Sequence, residues 1–250
     1  MEVVTDIIKY IVLGIVQGLT EFLPVSSSGH LILLERLGIG EASVLFNLML
    51  HLSTLAAVAL VMRKELGNWI KHPLSREAKW IYILTLPTIA IAFCFSLFFE
   101  DLLLGAMLPT GFLITAFFLI LGSVARRKES VLNFNNAFLT GIAQGIAVLP
   151  GVSRSGMTIT VMTALGIDRE KAVKLSFLMS VPIIVGGAVW EGIKGGFVLD
   201  CGLIPLVAGM LSAFFSGYIA LQFMVKRFGA LNYLPFAVYT FLLGILSYGI

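Results

Sequence analysis

Gly14-Ile15-Val16-Gln17-Gly18 and Val25-Ser26-Ser27-Ser28-Gly29 recur 127 residues later as Gly141-Ile142-Ala143-Gln144-Gly145 and Val152-Ser153-Arg154-Ser155-Gly156, with eight of the ten residues identical and no gap. Small-residue helix packing produces scattered Gly and Ser matches, but not two blocks in one register with a paired Gln. The blocks lie in two apolar regions, 4–37 and 136–165, each broken by Pro, Gly and Ser and each holding a charged residue near its middle. Such regions read as helix–turn–helix hairpins. Three long apolar runs follow each hairpin, at 43–62, 80–99 and 107–125, then at 172–190, 203–225 and 233–250. Each run is about long enough to cross a bilayer as a helix. An odd number of crossings per copy inverts the second copy, and inverted repeats with interrupted helices bind their ligands at the repeat interface. The expected fold is an all-α integral membrane protein of one domain, with six transmembrane helices and two re-entrant helical hairpins. Its two inverted-topology repeats are expected at about 1–127 and 128–250.

Composition supports that reading. Of 250 residues, 58% are hydrophobic and 12% charged, and the mean hydropathy is +1.00; a soluble domain carries about 25% charge. An ordinary soluble protein is excluded, and the spans leave no length for a separate soluble domain. The net charge of +3 is small and the basic residues sit in short loops, so no nucleic-acid partner is expected. Cys94 and Cys201 support neither a disulfide framework nor a Cys-rich metal site. Glu2 and Asp6 stand where a signal peptide would be basic, so the first apolar segment is expected to stay in the mature protein.

If each hairpin returns to the side from which it enters, the basic loops gather on one face. The opposite face keeps only Lys9, Arg36 and Lys194, and Arg154 lies inside a hairpin; the other thirteen of the seventeen Lys and Arg, including Arg126, Arg127 and Lys128, share one side. The positive-inside rule makes that side cytoplasmic and puts both termini and Glu100-Asp101 outside. Hairpins that span fully would scatter the basic loops over both faces.

The chemistry concentrates in the hairpins. In the first, Gln17 and Glu21 are four apart and share a helix face, and Pro24 ends that helix. Ser26 is the expected N-cap of a second helix, whose start offers free N–H groups to an anion. In the second, Gly151 permits unusual dihedrals, Ser153 and Ser155 supply hydroxyls, and Arg154 supplies a fork of donors for a carboxylate or phosphate. Glu21 and Arg154 also read as a structural ion pair pinning the hairpins together, and the serines as helix-break residues. His30 reads as functional, His51 as a residue near the outer face that either packs or supports a site from behind, and His72 as solvated. Gln17 and Gln144 read either as hydrogen-bonded across the repeat interface or as ligand contacts, and Glu191 as an interfacial residue. A Ser-Gly-His element like Ser28-Gly29-His30 occurs in lipid phosphatases of the acid-phosphatase type, but no histidine follows Arg154 to complete that mechanism.

Gln17-Gly-Leu-Thr-Glu-Phe-Leu-Pro-Val-Ser-Ser-Ser-Gly-His30, together with Leu149-Pro-Gly-Val-Ser-Arg-Ser-Gly-Met-Thr158, resembles the two signature motifs of the undecaprenyl-diphosphate phosphatases, the bacitracin-resistance membrane proteins. The resemblance extends over the whole chain. It implies hydrolysis of a C55 isoprenyl diphosphate to the monophosphate at the outer face of the cytoplasmic membrane, which recycles the lipid carrier of cell-wall synthesis. The partners it implies are the polyprenyl diphosphate and the surrounding lipids; a homodimer is compatible with it. It assigns the acidic pair to Gln17 and Glu21 and the Ser-His element to Ser27 and His30. The Pro-Gly-x-Ser-Arg-Ser motif falls on 150–155, with Thr158 after it. Gln17 replaces the first acid of the pair, which leaves one carboxylate fewer for a divalent cation.

The expected mechanism has Glu21, Ser27, His30 and Arg154 as its catalytic set. Arg154 and the hairpin N–H groups hold the diphosphate, with Gln17, Ser26, Ser28, Gly151, Ser153, Ser155 and Thr158 around it. Mg²⁺ or Ca²⁺ is held partly by Glu21, and Ser27 or a water attacks phosphorus, with His30 as base or orienting group. The competing expectation is a transporter of an anionic prenyl lipid or a small anion, since inverted repeats with broken helices are typical of transporters. The clustering of an acid, a hydroxyl and an imidazole in one hairpin favours catalysis, because transport needs no nucleophile.

Overall fold

The structure, a computed structural model, describes residues 2–40, 43–124, 130–194, 201–227 and 232–250, and every regular element among them is helical. The basic run Arg126-Arg127-Lys128 lies outside the described residues. Both expected hairpins are present. Helices α1 (Glu2–Phe22) and α2 (Ser27–Arg36) form the first, and α8 (Phe134–Ile146) and α9 (Arg154–Ala164) the second. Between them in sequence stand α3 (Val44–Val61), α4 (Arg63–Lys71), α5 (Arg76–Phe98), α6 (Glu100–Leu103) and α7 (Leu108–Val124); after them come α10 (Arg169–Ile193), α11 (Leu203–Arg227) and α12 (Leu234–Leu246). Polar caps set the starts: Ser43, Ser75 and Asn133 each accept a hydrogen bond from the backbone N–H three residues on, which satisfies one orphan donor of the first turn.

Four helices, α3, α5, α10 and α11, are long and apolar enough to cross a membrane. The third and sixth of the expected runs form shorter helices. Helix α7 has 17 residues and α12 only 13, continued by a 3-10 turn at Ser247–Gly249. At 1.5 Å per residue α12 rises about 20 Å, short of a hydrocarbon core about 30 Å thick. The expected run 233–250 includes Tyr233 and Ser247-Tyr248-Gly249-Ile250, which stand outside the α-helix. Helices α4 and α6 fall in expected loops. The first carries Glu65 in its first turn and Lys71 in its last, complementing the helix dipole. Leu86, Phe98, Val124, Phe215 and Ile219 stay exposed on the outer faces of the long helices, where lipid rather than water is the suitable neighbour.

Packing is reciprocal between the halves of the chain. The first hairpin's α1 runs along α11, the second hairpin's α8 runs along α5, and α7 packs on α12. Glycines make the first two contacts close. A Cβ on Gly18 would lie 2.0 Å from Ser216 Oγ, and one on Gly141 would lie 2.5 Å from the Leu84 carbonyl oxygen. Beneath both hairpins an apolar core joins Phe22, Leu84, Leu119, Ile159, Phe177 and Leu221. Phe22 and Phe177 meet edge to face at 5.5 Å, a favoured aromatic geometry that ties α1 to α10.

The tip of the second hairpin is wedged onto α7. Gly151 has φ +87, and a Cβ there would lie 2.5 Å from the Leu108 carbonyl oxygen and 2.8 Å from the Phe112 nitrogen. Thr115 Oγ1 donates to the Gly151 carbonyl at 2.8 Å and accepts from the Ser153 N–H at 2.8 Å. Left-handed strain in a non-glycine residue costs about 1–3 kcal/mol, and overpacking costs about as much again. Gly151→Ala is therefore expected to destabilise the protein by about 2–5 kcal/mol, read as a lower thermal midpoint in detergent. An unchanged midpoint would show that the tip is free to shift off α7.

Candidate active site

Both hairpins break where a polar N-cap starts the second helix, and both starts face one cavity. Ser26 has φ 72, the one positive φ of a non-glycine residue among those described, and its Oγ accepts from the Gly29 N–H at 3.3 Å. Ser153 caps α9 in the same way, accepting from the Gly156 N–H at 3.1 Å. Ser27 and Arg154 are thereby the first residues of α2 and α9, at equivalent positions of the two sequence blocks and at the positive ends of two helices. Ser155 Oγ donates to the Leu23 carbonyl at 3.3 Å and ties one tip to the other.

Glu21 is where these elements meet. Its carboxylate is buried, with Oε1 accepting from Arg154 Nη2 across the two hairpins. Its Oε2 accepts from Ser27 Oγ at 2.6 Å and from Gln17 Nε2 at 3.2 Å. His51, from α3, completes the cluster with Nδ1 3.0 Å from Gln17 Nε2 and 3.5 Å from Glu21 Oε2. Arg154 Nη1 is buried without a hydrogen-bond partner among the described residues. A buried guanidinium N–H without a partner is costly, and an anionic oxygen is its natural acceptor.

These groups line a cavity of about 420 Å³. Its polar wall holds Glu21, Ser26, Ser27, Ser28, Ser153 and Arg154, and its apolar wall is built from α3 and α10, through Val44, Leu48, Ile183, Ile184 and Ala188. A phosphate-sized polar floor beside an apolar flank suits an amphiphile. Val44 starts α3 and Glu191 ends α10, whereas basic α4 follows the other end of α3 and Arg169, Lys171 and Lys174 stand at the other end of α10. The cavity therefore lies toward the end of the bundle opposite those cations.

The structure brings Glu21, Ser27 and Arg154 together as expected, and Ser26, Ser28 and Ser153 beside them. It places the other expected residues differently. His30 does not line the cavity; its Nδ1 lies 2.6 Å from the Ser26 carbonyl oxygen, its Nε2 lies 2.7 Å from Tyr239 Oη, and its ring stacks on Tyr239. Both nitrogens are occupied, so the geometry supports orientation of the turn rather than proton transfer in the cavity. Gln17 lies behind Glu21, fully buried and off the cavity wall. Gly151 serves the contact with α7, Ser155 the contact between tips, and Thr158 a 2.7 Å hydrogen bond with Ser176. Gln17 and Gln144 do not bond to each other; Gln144 Nε2 donates to Thr88 Oγ1 at 2.8 Å. His51, Glu191 and Gln144 line the cavity, where the sequence pointed to packing or supporting, interfacial and undecided roles. A histidine about two turns into the helix after a broken hairpin is the available signal for His51.

No group of three His, Cys, Asp or Glu is placed to hold a metal ion among the described residues. Magnesium is commonly held by one or two carboxylates together with substrate phosphates rather than by a protein cage. One buried carboxylate beside a vacant guanidinium N–H fits a cation of that kind, arriving with a phosphate ligand.

The fold and site thus define a multi-pass helical membrane protein that gathers a serine, a carboxylate and a guanidinium where two broken hairpins meet. Residues 10–246 match the sequence model of the family described as bacitracin resistance protein BacA, and the chain belongs to that family. It is 40% identical over 248 residues to an undecaprenyl-diphosphatase of Carboxydothermus hydrogenoformans, covering 94% of each chain. It is 39% identical over 242 residues to undecaprenyl-diphosphatase 4 of Bacillus cereus, covering 94% of this chain and 93% of the other. An undecaprenyl-diphosphatase of Christiangramia forsetii is 38% identical over 254 residues, covering 96% of each.

Proposed function

We propose that the protein hydrolyses undecaprenyl diphosphate to the monophosphate and phosphate, at the outer face of the cytoplasmic membrane, and so returns the lipid carrier to cell-wall synthesis. The observation that carries this reading is the 2.6 Å hydrogen bond from Ser27 to Glu21, on a carboxylate already paired with Arg154. A nucleophile, a proton acceptor and an anion holder share one cavity whose flank is apolar. Transport of an anion needs only the last of these, so the hydrolase is favoured. The two halves, about 1–127 and 128–250, act as inverted repeats whose hairpins re-enter without crossing. The position of the cavity opposite the basic loops supports an outward-facing site.

In the proposed reaction Arg154 turns its fork from Glu21 to the oxygens of the terminal phosphoryl group. The amide N–H groups at the starts of α2 and α9 add donors. With Arg154 turned to the phosphate, Glu21 Oε2 accepts the Ser27 proton as Oγ attacks phosphorus in line. The bond to the bridging oxygen breaks, and prenyl monophosphate departs with the electron pair. Water then cleaves the serine–phosphate bond, giving inorganic phosphate and restoring the hydroxyl. Magnesium or calcium, with Glu21 as its protein ligand, would supply charge neutralisation at the diphosphate. Phosphoryl transfer asks mainly for such positioning and charge stabilisation.

Acid quenching of protein mixed with a prenyl diphosphate labelled on its terminal phosphoryl group tests the nucleophile. Label is expected on Ser27, and Ser27→Ala is expected to lose both label and about 10²- to 10⁴-fold in turnover. Full turnover by Ser27→Ala would assign the attack to water. A chelator is expected to suppress phosphate release by the wild type, and added magnesium or calcium to restore it.

A further inference from the structure

His51 is the imidazole that the hairpin motifs do not contain, and its hydrogen bonds define its chemistry. The carboxylate of Glu21 can only accept, so the group of Gln17 that lies 3.2 Å from Glu21 Oε2 must be its amide nitrogen. That nitrogen has a second proton, and His51 Nδ1 lies 3.0 Å from it. Gln17 Nε2 at 3.0 Å is nearer to His51 Nδ1 than Glu21 Oε2 at 3.5 Å, and a hydrogen bond from Gln17 makes Nδ1 the acceptor and leaves the proton of the neutral ring on Nε2. His51 lines the cavity, and no hydrogen bond to Nε2 is made among the described residues. His30 has the opposite arrangement. Its Nδ1 faces a carbonyl oxygen, which can only accept, so Nδ1 holds the proton and Nε2 accepts from Tyr239 Oη.

From this geometry we propose that His51, with its tautomer fixed by Gln17, donates its Nε2–H to a phosphoryl oxygen of the substrate and holds it against Arg154. The inference rests on the phosphatase reading and adds a residue to it. It also gives Gln17 a definite task. An amide at this position donates to both Glu21 and His51, which a carboxylate there could not do. The second repeat has Val148 and Leu178 at the positions equivalent to Glu21 and His51, 127 residues on, so this donor comes from the first repeat alone. Arg154 comes from the second, and the phosphoryl group is held between them.

The chain has three histidines, so imidazole nitrogen resonances of protein labelled with ¹⁵N-histidine can be assigned by single substitutions. His51 is expected to show a protonated Nε2 and an unprotonated Nδ1, and His30 the reverse. Inorganic phosphate is expected to move the His51 Nε2 resonance and leave both His30 resonances in place. In steady-state assays of phosphate release, His51→Ala is expected to lower kcat/KM by about 10- to 100-fold. Glutamine places an amide nitrogen near the site of Nε2 and asparagine one near Nδ1, so His51→Gln should retain more activity than His51→Asn. A purely structural histidine would show neither the phosphate-dependent shift nor that order. A protonated Nδ1, a resonance unmoved by phosphate, or wild-type kcat/KM in His51→Ala would each overturn the proposal. Wild-type protein that releases no phosphate from the lipid, yet shows the shift with inorganic phosphate, would count against the phosphatase reading and leave the His51 contact standing.

Discussion

Arg154→Ala is expected to reduce phosphate release from a prenyl diphosphate by at least about 10³-fold. The substitution removes the one guanidinium among the described residues that line the cavity, together with a buried Nη1 that has no protein partner among the described residues. Single preorganised donors at a developing charge are worth about 10²- to 10³-fold, and an arginine on a transferring phosphoryl group is worth about 10³- to 10⁵-fold. The same substitution strands the buried Glu21 carboxylate without its cation, so stability is expected to fall by about 3–5 kcal/mol as well. Arg154→Lys separates the two effects. It keeps a positive charge near Glu21 but not the planar fork, so it should fold with a near-normal thermal midpoint and still lose most turnover. Lysine at wild-type rate would show that charge alone suffices and that bidentate holding plays no part.

Glu21→Ala carries the second large effect. Its carboxylate accepts from Arg154, Ser27 and Gln17 at once, so alanine removes the proton acceptor of Ser27 and leaves three buried donors facing a hole. Turnover is expected to be nearly abolished, with a destabilisation of about 3–5 kcal/mol from the unpaired guanidinium. Glu21→Gln keeps the shape and one carbonyl acceptor. It is expected to recover much of the thermal midpoint and little of the activity, because a neutral amide cannot take the serine proton. Substantial turnover by Glu21→Gln in folded protein would move the proton-accepting role elsewhere, with His51 the nearest alternative in the cavity.

The hairpins and the residues at their tips were legible because polar groups in a greasy sequence are costly and stand out. Glu21, Ser27 and Arg154 could be assigned to one site from the two motifs, since each carries chemistry that lipid would otherwise penalise. Gln17, Ser155 and Thr158 were expected to touch substrate but face protein, because helical spacing says which residues share a face and not what the face meets. The unusual dihedral of Gly151 was legible from its lack of a side chain, whereas its contact with α7 was not, since that arises from packing between elements remote in sequence. For His51 the sequence suggests no more than packing or support of a site for the same reason: its immediate neighbours Leu50 and Leu52 are apolar, and its partners Gln17 and Glu21 lie 34 and 30 residues earlier. The apolar run 233–250 overshoots α12 because a hydropathy pattern does not mark where α-helical hydrogen bonding gives way to the 3-10 turn at Ser247–Gly249.

If the cavity between the hairpins cleaves the terminal phosphate from a prenyl diphosphate, detergent-purified wild-type protein incubated with a C55 prenyl diphosphate releases both products in measurable amounts. One inorganic phosphate per prenyl monophosphate is expected, dependent on divalent cation. Intact diphosphate after incubation with well-folded protein, alongside movement of prenyl phosphate across liposomes containing it, would contradict that cleavage and identify a transporter.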